Sequence, residues 1–417
     1  MDREREYVRR SQAPSPTRRR GTPPPNRRGN RKKSGPPPFL YLCLILIVVI
    51  VLAVILWKIF FSGGGKEKPA PTPDSSSPVS SSVSGLDSDP ENVSSAIDVV
   101  TPSPEPSVPP EKIPSGSAEQ LGALLKIGDT GYEYYNFVEN YANNYITTVC
   151  DAGSQLGSIT LYDIIVPTSM DIMLPESYIQ EHNINSQDQK KAIDYMYKSI
   201  NGINPSVKTV PVFDALKLHN NDYIYFRTDH HWTQLGAYYA YVEFCKAKGI
   251  EPTPLEEYEK STYDGFLGSF YSDNPNSDME NHPDSVEAYR SKADTTLTFT
   301  QEDGTVISDW PVIQDGTDYG TSTKYLIFCA ADQPYEEIVN NDLSDGSACL
   351  VVKESFGNVF IPFLVDHYKT VYVVDYRYYN GDISDLAQQK GVSDVILVNN
   401  ISMTRNADLI ESLGYRF

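Results

Sequence analysis

Apolar and polar positions recur with two periods along the C-terminal three-quarters of the chain. Ser158–Val166 (SITLYDIIV) has the apolar density of a strand and is stopped by Pro167. Gln187–Ile200 places Ile193, Met196, Tyr197 and Ile200 on one face of a helix. Tyr223–Phe226 reads as a short strand. Thr233–Lys248 reads as a helix with the stripe Ala237, Ala240, Tyr241 and Phe244, closed by Gly249. Within residues 284–313, Thr295–Thr300 alternates polar with apolar, and Glu302-Asp303-Gly304-Thr305 supplies a turn. This predicts a β-hairpin, as an insertion or an edge ribbon. Further on, Ala348–Val352, Thr370–Asp375 and Val395–Val398 read as strands. Asn358–His367, tolerating Pro362, and Ile383–Lys390 read as the helices between them. Such β-α-β-α-β alternation predicts parallel strands covered by helices, with chemistry beyond the strands' carboxyl ends.

The first quarter of the chain follows another pattern. Residues 1–38 show no apolar periodicity and hold 12 Lys and Arg against 3 Asp and Glu, a formal charge of +9. Phe39 to Trp57 is an unbroken apolar run, followed by Lys58 and then Ile59, Phe60 and Phe61. About 20 apolar residues span a bilayer core, so 39–61 is expected to be a transmembrane helix. A cleaved secretory signal is the alternative, but it would have a shorter apolar region and no long basic leader. The basic flank predicts a cytoplasmic N-terminus and an extracellular C-terminal domain, a single pass through the cell membrane. The tail is expected to meet an anionic membrane surface rather than nucleic acid, for nothing in it reads bases. Residues 62–116 are rich in Ser and Pro and predict a disordered, extended linker. Residues 117–417 are left for one folded domain.

The whole chain carries −20, so residues 39–417 carry −29. A surface this acidic repels polyanions. Cys43 falls in the apolar run. Cys150, Cys245, Cys329 and Cys349 are widely spaced without a CxxC pair, which leaves disulfides and buried thiols both open and argues against a thiolate metal site.

Two segments carry candidate chemistry. Ser355, in Lys353-Glu354-Ser355-Phe356-Gly357-Asn358, sits between a predicted strand and a predicted helix. A serine there stands at the sheet's carboxyl edge, beside N–H groups able to hold an oxyanion; it is equally a position for a helix N-cap. The Ser355 N–H is the first candidate donor, Gly357 and Asn358 the second. Thr228-Asp229-His230-His231-Trp232 follows another strand end. In an extended stretch Asp229 and His231 share a face, so Asp229 would orient His231, and His231 would take the Ser355 proton. Trp232 is either a pocket wall or core. His230 as a metal ligand lacks partners, so no metal is expected. Ser269, after the glycines of Gly265-Phe266-Leu267-Gly268, is a rival nucleophile or part of a substrate loop.

Thr228-Asp229-His230-His231-Trp232 resembles the signature of the DHHW protein family, found in membrane-anchored proteins of Gram-positive bacteria. It is also similar to the Thr-Asp-x-His-Trp segment of the SGNH-hydrolase-like alginate O-acetyltransferases. The Ser355 segment resembles their Asp-Ser-Phe block, with Glu354 in place of Asp. Val166-Pro167-Thr168 and Asp375-Tyr376-Arg377-Tyr378 resemble further blocks of that group. The resemblance covers about residues 120–417. It implies a three-layer α/β/α SGNH-like domain with a mostly parallel sheet and a Ser355–His231–Asp229 triad. Arg377 would then bind substrate or form an ion pair with Asp375.

The activity this implies is O-acyl transfer, O-acetyl above all, to a cell-surface glycan or wall polymer through an acyl-serine, with no cofactor. By analogy with related systems, a multipass membrane-bound O-acyltransferase partner would deliver the acyl group. Two other readings stay open: an esterase with the same triad, and a non-catalytic glycan-binding or wall-assembly module.

Overall fold

Every residue of Ala348–Lys353 and of Asp394–Asn400 is buried, whichever way its side chain points. Strands apolar on both sides belong in the middle of a sheet covered on both faces. The computed structural model describes residues 112–417 and places these strands there. In chain order the strands are β1 (Ala118–Leu121), β2 (Leu124–Ile127), β3 (Thr130–Glu133), β4 (Thr160–Val166), β5 (Lys208–Thr209), β6 (Glu259–Phe266) and β7 (Asp284–Arg290). They continue with β8 (Thr295–Thr300), β9 (Val306–Trp310), β10 (Tyr335–Asn340), β11 (Ala348–Lys353), β12 (Thr370–Asp375) and β13 (Asp394–Asn400). The large sheet runs β5-β4-β13-β11-β12-β10-β8-β9. Pairings from β5 to β12 are parallel; β10, β8 and β9 then add on antiparallel.

The longer helices are α1 (Glu139–Gln155), α2 (Gln189–Ile203), α3 (Gln234–Lys248), α4 (Ile383–Lys390) and α5 (Ala407–Gly414). Alternate residues of each central strand feed two cores. Ile164, Val351, Val373 and Ile396 pack with Ala237, Tyr241 and Phe244 of α3. Ile165, Leu350, Val374 and Leu397 pack with residues of α1, α2, α4 and α5. The sheet is therefore covered on both faces, a mixed α/β fold. The carboxyl ends of β11, β12 and β13 lie side by side, and Ser355, Arg377 and Ser402 follow them directly.

Several elements depart from expectation. Asn358–His367 is not an α-helix but the 3₁₀ turns Ser355–Val359 and Ile361–Asp366. Pro362 lacks an N–H and disfavours helical geometry in the residue before it. Tyr223–Phe226 forms only the isolated bridge of Tyr225 with Trp232. The hairpin β8–β9 is present as expected, as an edge ribbon of the main sheet, whereas β7 pairs with β6 in a separate ribbon. Cys150, Cys245, Cys329 and Cys349 are free and buried.

The single-pass membrane localisation needs correction. Among the described residues no helix is long and apolar enough to cross a membrane. The segments expected to be a basic tail (1–38) and a transmembrane helix (39–61) lie outside the described residues, as does most of the linker (62–116).

At the centre of β4 the fully buried Asp163 accepts a 2.5 Å hydrogen bond from Tyr145 Oη of α1, and its second oxygen has no partner. Burial outweighs the Tyr145 bond and pushes the carboxyl from 3.8 up to about 7. The folded chain therefore holds a proton that the unfolded chain releases. This contribution to stability is complete below 3.8 and is lost as pH rises to about 7. Asp163→Asn should remove that dependence. Urea melts across the window are expected to show the native chain losing stability relative to the variant as pH rises.

Candidate active site

The histidine segment is a bend rather than a strand. Phe226 N–H donates to His231 O (3.2 Å) and Thr233 N–H to Ile224 O (2.9 Å), so the chain folds back on itself with residues 227–231 at the tip. Asp284, at the start of β7, ties down its base. Asp284 accepts from Thr228 N–H and Thr228 Oγ1, both at 2.7 Å, and from Arg227 N–H at 3.0 Å. Thr233 caps α3 immediately afterwards.

Asp229 closes an Asx-type turn on its own backbone. Its Oδ1 accepts from His231 N–H at 2.9 Å and lies 2.6 Å from His231 Nδ1; its Oδ2 accepts from Ser269 N–H at 2.7 Å. Burial alone would raise this carboxyl. Attraction to His231 and His230, with the bonds from His231 and the Ser269 N–H, outweighs it and holds Asp229 well below the usual carboxylate range. Asp229 is thus an acceptor, so the hydrogen between them sits on His231 Nδ1, which leaves Nε2 as the nitrogen facing Ser355. Nε2 lies 2.7 Å from Ser355 Oγ. The structure brings Asp229, His231 and Ser355 into one hydrogen-bonded chain, its His231–Ser355 link joining residues 124 apart in sequence.

The imidazole is also held by its flanks. Tyr325 stacks on it, ring centroids 4.0 Å apart and 14° from parallel, and donates its hydroxyl to Ser355 O at 2.8 Å. Sequence inspection missed Tyr325, because Lys324-Tyr325-Leu326-Ile327 reads as ordinary core. Glu354, also missed, accepts from Asn400 N–H (2.8 Å) and Phe356 N–H (3.3 Å), with Oε2 3.2 Å from Ser355 Oγ. Burial raises its carboxyl despite the pull of Arg377 and those amides.

Other expected residues fall as follows. Trp232 is core: it is fully buried, its Nε1–H donates to Phe356 O (2.9 Å), and it lines neither cavity at Ser355. Gly357 is no oxyanion donor, because its N–H donates to Glu354 O (2.9 Å); a Cβ there would lie 2.5 Å from Lys353 Cβ. Asn358 donates its side-chain amide to Asp332 (3.0 Å). Arg377 pairs with Asp375 (2.7 Å) and Asp332 (3.0 Å), and still lines a cavity at Ser355. Beneath them the buried Lys353 ammonium bonds Asp332 (3.1 Å) and Asp375 (3.3 Å). The chain reaches Asp332 through Cys329, Ala330 and Ala331, all with positive φ (46°, 49° and 66°), a conformation costing about 1–2 kcal/mol per residue.

Ser269 is close by, but its Oγ bonds His230 Nδ1 at 2.7 Å rather than His231. Asp229, His230 and His231 have donor atoms within 4.8 Å of one another, as a metal site would. Both oxygens of Asp229 and the Nδ1 of each ring are already engaged in the bonds above.

Gly268 makes the closeness of the two loops possible: a Cβ there would fall 2.2 Å from the Asp229 carboxylate. Gly268→Ala is expected to displace Asp229 and break its bond to His231. Proton NMR of the native chain should show a far-downfield imidazole N–H that the variant loses, with the far-ultraviolet spectrum retained.

Ser355 stands between two cavities. One, of about 650 Å³, opens over the carboxyl ends of β11, β12 and β13; the other, of about 190 Å³, lies beneath Tyr325 and Phe266. The arrangement has the parts of a nucleophile, a base and an orienting carboxylate at a cavity wall. Among solved structures, a DHHW family protein from Eubacterium siraeum is 27% identical, with a TM-score of 0.64 over 73% of this chain and 99% of that one. Bacillus cereus PatB1 is 21% identical, with a TM-score of 0.58 over 69% and 98%; it is known also with a sulfonyl adduct (19%, TM-score 0.56, over 69% and 96%). The O-acetyltransferase domain of Pseudomonas putida AlgJ covers 69% and 97% at 13% identity, but its TM-score of 0.34 is too low for comparing sites. No curated protein matches. Residues 88–374 match the DHHW protein family, and the chain belongs to it.

Proposed function

We propose that the protein transfers an acyl group, acetyl above all, to a hydroxyl of a glycan through an acyl-Ser355 intermediate. The observation that carries this reading is the continuous hydrogen-bonded chain Ser355–His231–Asp229 at the junction of two cavities. Ser355 Oγ attacks the carbonyl carbon of an ester or thioester donor, and its proton passes to His231 Nε2. The leaving alcohol or thiol takes that proton. An acceptor hydroxyl then gives its proton to His231 and attacks the acyl carbon; Ser355 leaves and recovers the proton. Asp229 keeps the imidazole in the right tautomer and stabilises it when charged. The Ser355 N–H, at the start of a 3₁₀ turn, is the backbone donor best placed for the oxyanion, since those of Phe356 and Gly357 are used by Glu354. The fold is read here as SGNH-like, with the site at the carboxyl ends of its parallel strands. A bulky acceptor distinguishes the transferase from an esterase, and the 650 Å³ cavity supports that choice.

A fluorophosphonate or sulfonyl fluoride probe should label the native chain on Ser355, read by intact mass and peptide mapping. Ser355→Ala and His231→Ala should abolish labelling. Ser269→Ala should retain it, because the backbone N–H of Ser269, not its hydroxyl, holds Asp229. A folded chain that takes no label would overturn serine chemistry and leave a binding module.

A further inference from the structure

The two cavities meeting at Ser355 differ in chemistry. Ionisable side chains in the larger one are Glu133, Glu354, Asp408, Arg377, Arg405 and His230, whose Nδ1 is held by Ser269 Oγ at 2.7 Å. Its two guanidiniums are both already paired. Arg405 lies 2.5 Å from Glu133, and Arg377 sits between Asp375 and Asp332 at 2.7 and 3.0 Å. Among the described residues, no other lysine or arginine lines this cavity. A carboxylate or phosphate entering it would meet guanidiniums already neutralised by acids, and would add a negative charge beside Asp408. An uncharged polyol meets what it needs. Asn406 and Ser402 place short polar groups on its wall, Ser402 Oγ donating to Glu133 (3.0 Å) and Asn406 Oδ1 accepting from Leu409 N–H (3.2 Å), and Tyr141, Tyr378 and Phe356 offer ring surfaces for the apolar faces of sugar rings. The smaller cavity has Phe266, Tyr325 and Leu326 on its wall beside short polar side chains such as Ser269, Ser272 and Ser322, with a volume suited to a short acyl group.

We infer that Ser355 works between two chambers, the smaller holding a short acyl group and the larger receiving an uncharged sugar as acceptor. This rests on the acyl-serine reading above. The acyl–Oγ bond of Ser355 breaks as the bond from the acyl carbon to the sugar oxygen forms, and the sugar's hydroxyl proton returns to Ser355 through His231. An anionic glycan, one of uronates or of phosphodiester-linked units, is excluded as the preferred acceptor.

Two measurements on the full chain test this separately. First, Ser355→Ala is titrated calorimetrically with a neutral N-acetylglucosamine oligomer and with a galacturonate oligomer of equal length. The neutral oligomer should bind at least about tenfold tighter. Ala407→Trp, which fills the larger cavity without removing a polar partner, should abolish that binding. Equal or tighter binding of the uronate, or binding indifferent to Ala407→Trp, overturns the inference even if Ser355 is reactive. Sugar binding in a chain that never forms acyl-Ser355 would overturn the acyl-serine reading and, with it, the two-chamber cycle. Second, with p-nitrophenyl acetate as donor, Ala407→Trp should lower sugar-dependent deacylation about tenfold more than it lowers acylation, and Ser322→Trp, in the smaller chamber, should do the reverse. Proportional losses in both variants would overturn the division of labour.

Discussion

A single buried carboxylate, that of Asp229, joins the parts of this protein. It belongs to one loop, closes a turn on that loop's own backbone, and accepts the N–H of Ser269 from another. A buried ion is costly unless its lone pairs are met by donors. Here the requirement is met only if the loops from 227–231 and 265–269 close against each other. That closure needs a glycine at 268, because any side chain would occupy the volume of the carboxylate. The geometry at His231 is therefore a by-product of meeting one buried negative charge with donors from two loops.

The second constraint lies under the sheet. Lys353, the last residue of β11, is wholly buried and bonds Asp332 and Asp375. Burial would discharge it, but the three acids Asp332, Asp375 and Glu336 outweigh burial and keep it protonated. The segment delivering Asp332 adopts three left-handed residues in succession, none of them glycine. Local strain of this kind persists where surrounding interactions over-determine the backbone. The ion cluster is that surrounding. It fixes the strand end from which Ser355 departs, much as Asp284 fixes the loop bearing His231.

Much of this was legible from the chain alone. The strands Thr370–Asp375 and Ala348–Val352 (which runs one residue further, to Lys353), the helix Ile383–Lys390 and the Gly249 stop all follow from short-range pattern, and so the parallel centre of the sheet was readable. Asp229, His231 and Ser355 stood out through their two motifs and the resemblance these carry, although the strand expected before Asp229 is a bend. What failed to show were interactions between distant segments. Tyr325 looks like core because it is core; its second role comes from what it stacks against. Asp284 and Asp332 are ordinary acids until the fold brings them under a loop and a lysine. The Asn358–His367 helix failed because apolar periodicity does not register that a proline one turn in, with burial on every side, favours tighter turns.

The described chain holds four cysteines, all free and all within the core. No covalent cross-link then limits how far the fold opens, and its acquisition requires no oxidant. Each thiol is shielded by packing alone, so a thiol reagent reaches it only as often as that part of the core opens. Cys245 on α3, Cys349 on β11 and Cys150 on α1 sit in different layers. They form a built-in set of clocks, from which the order in which the layers separate can be timed.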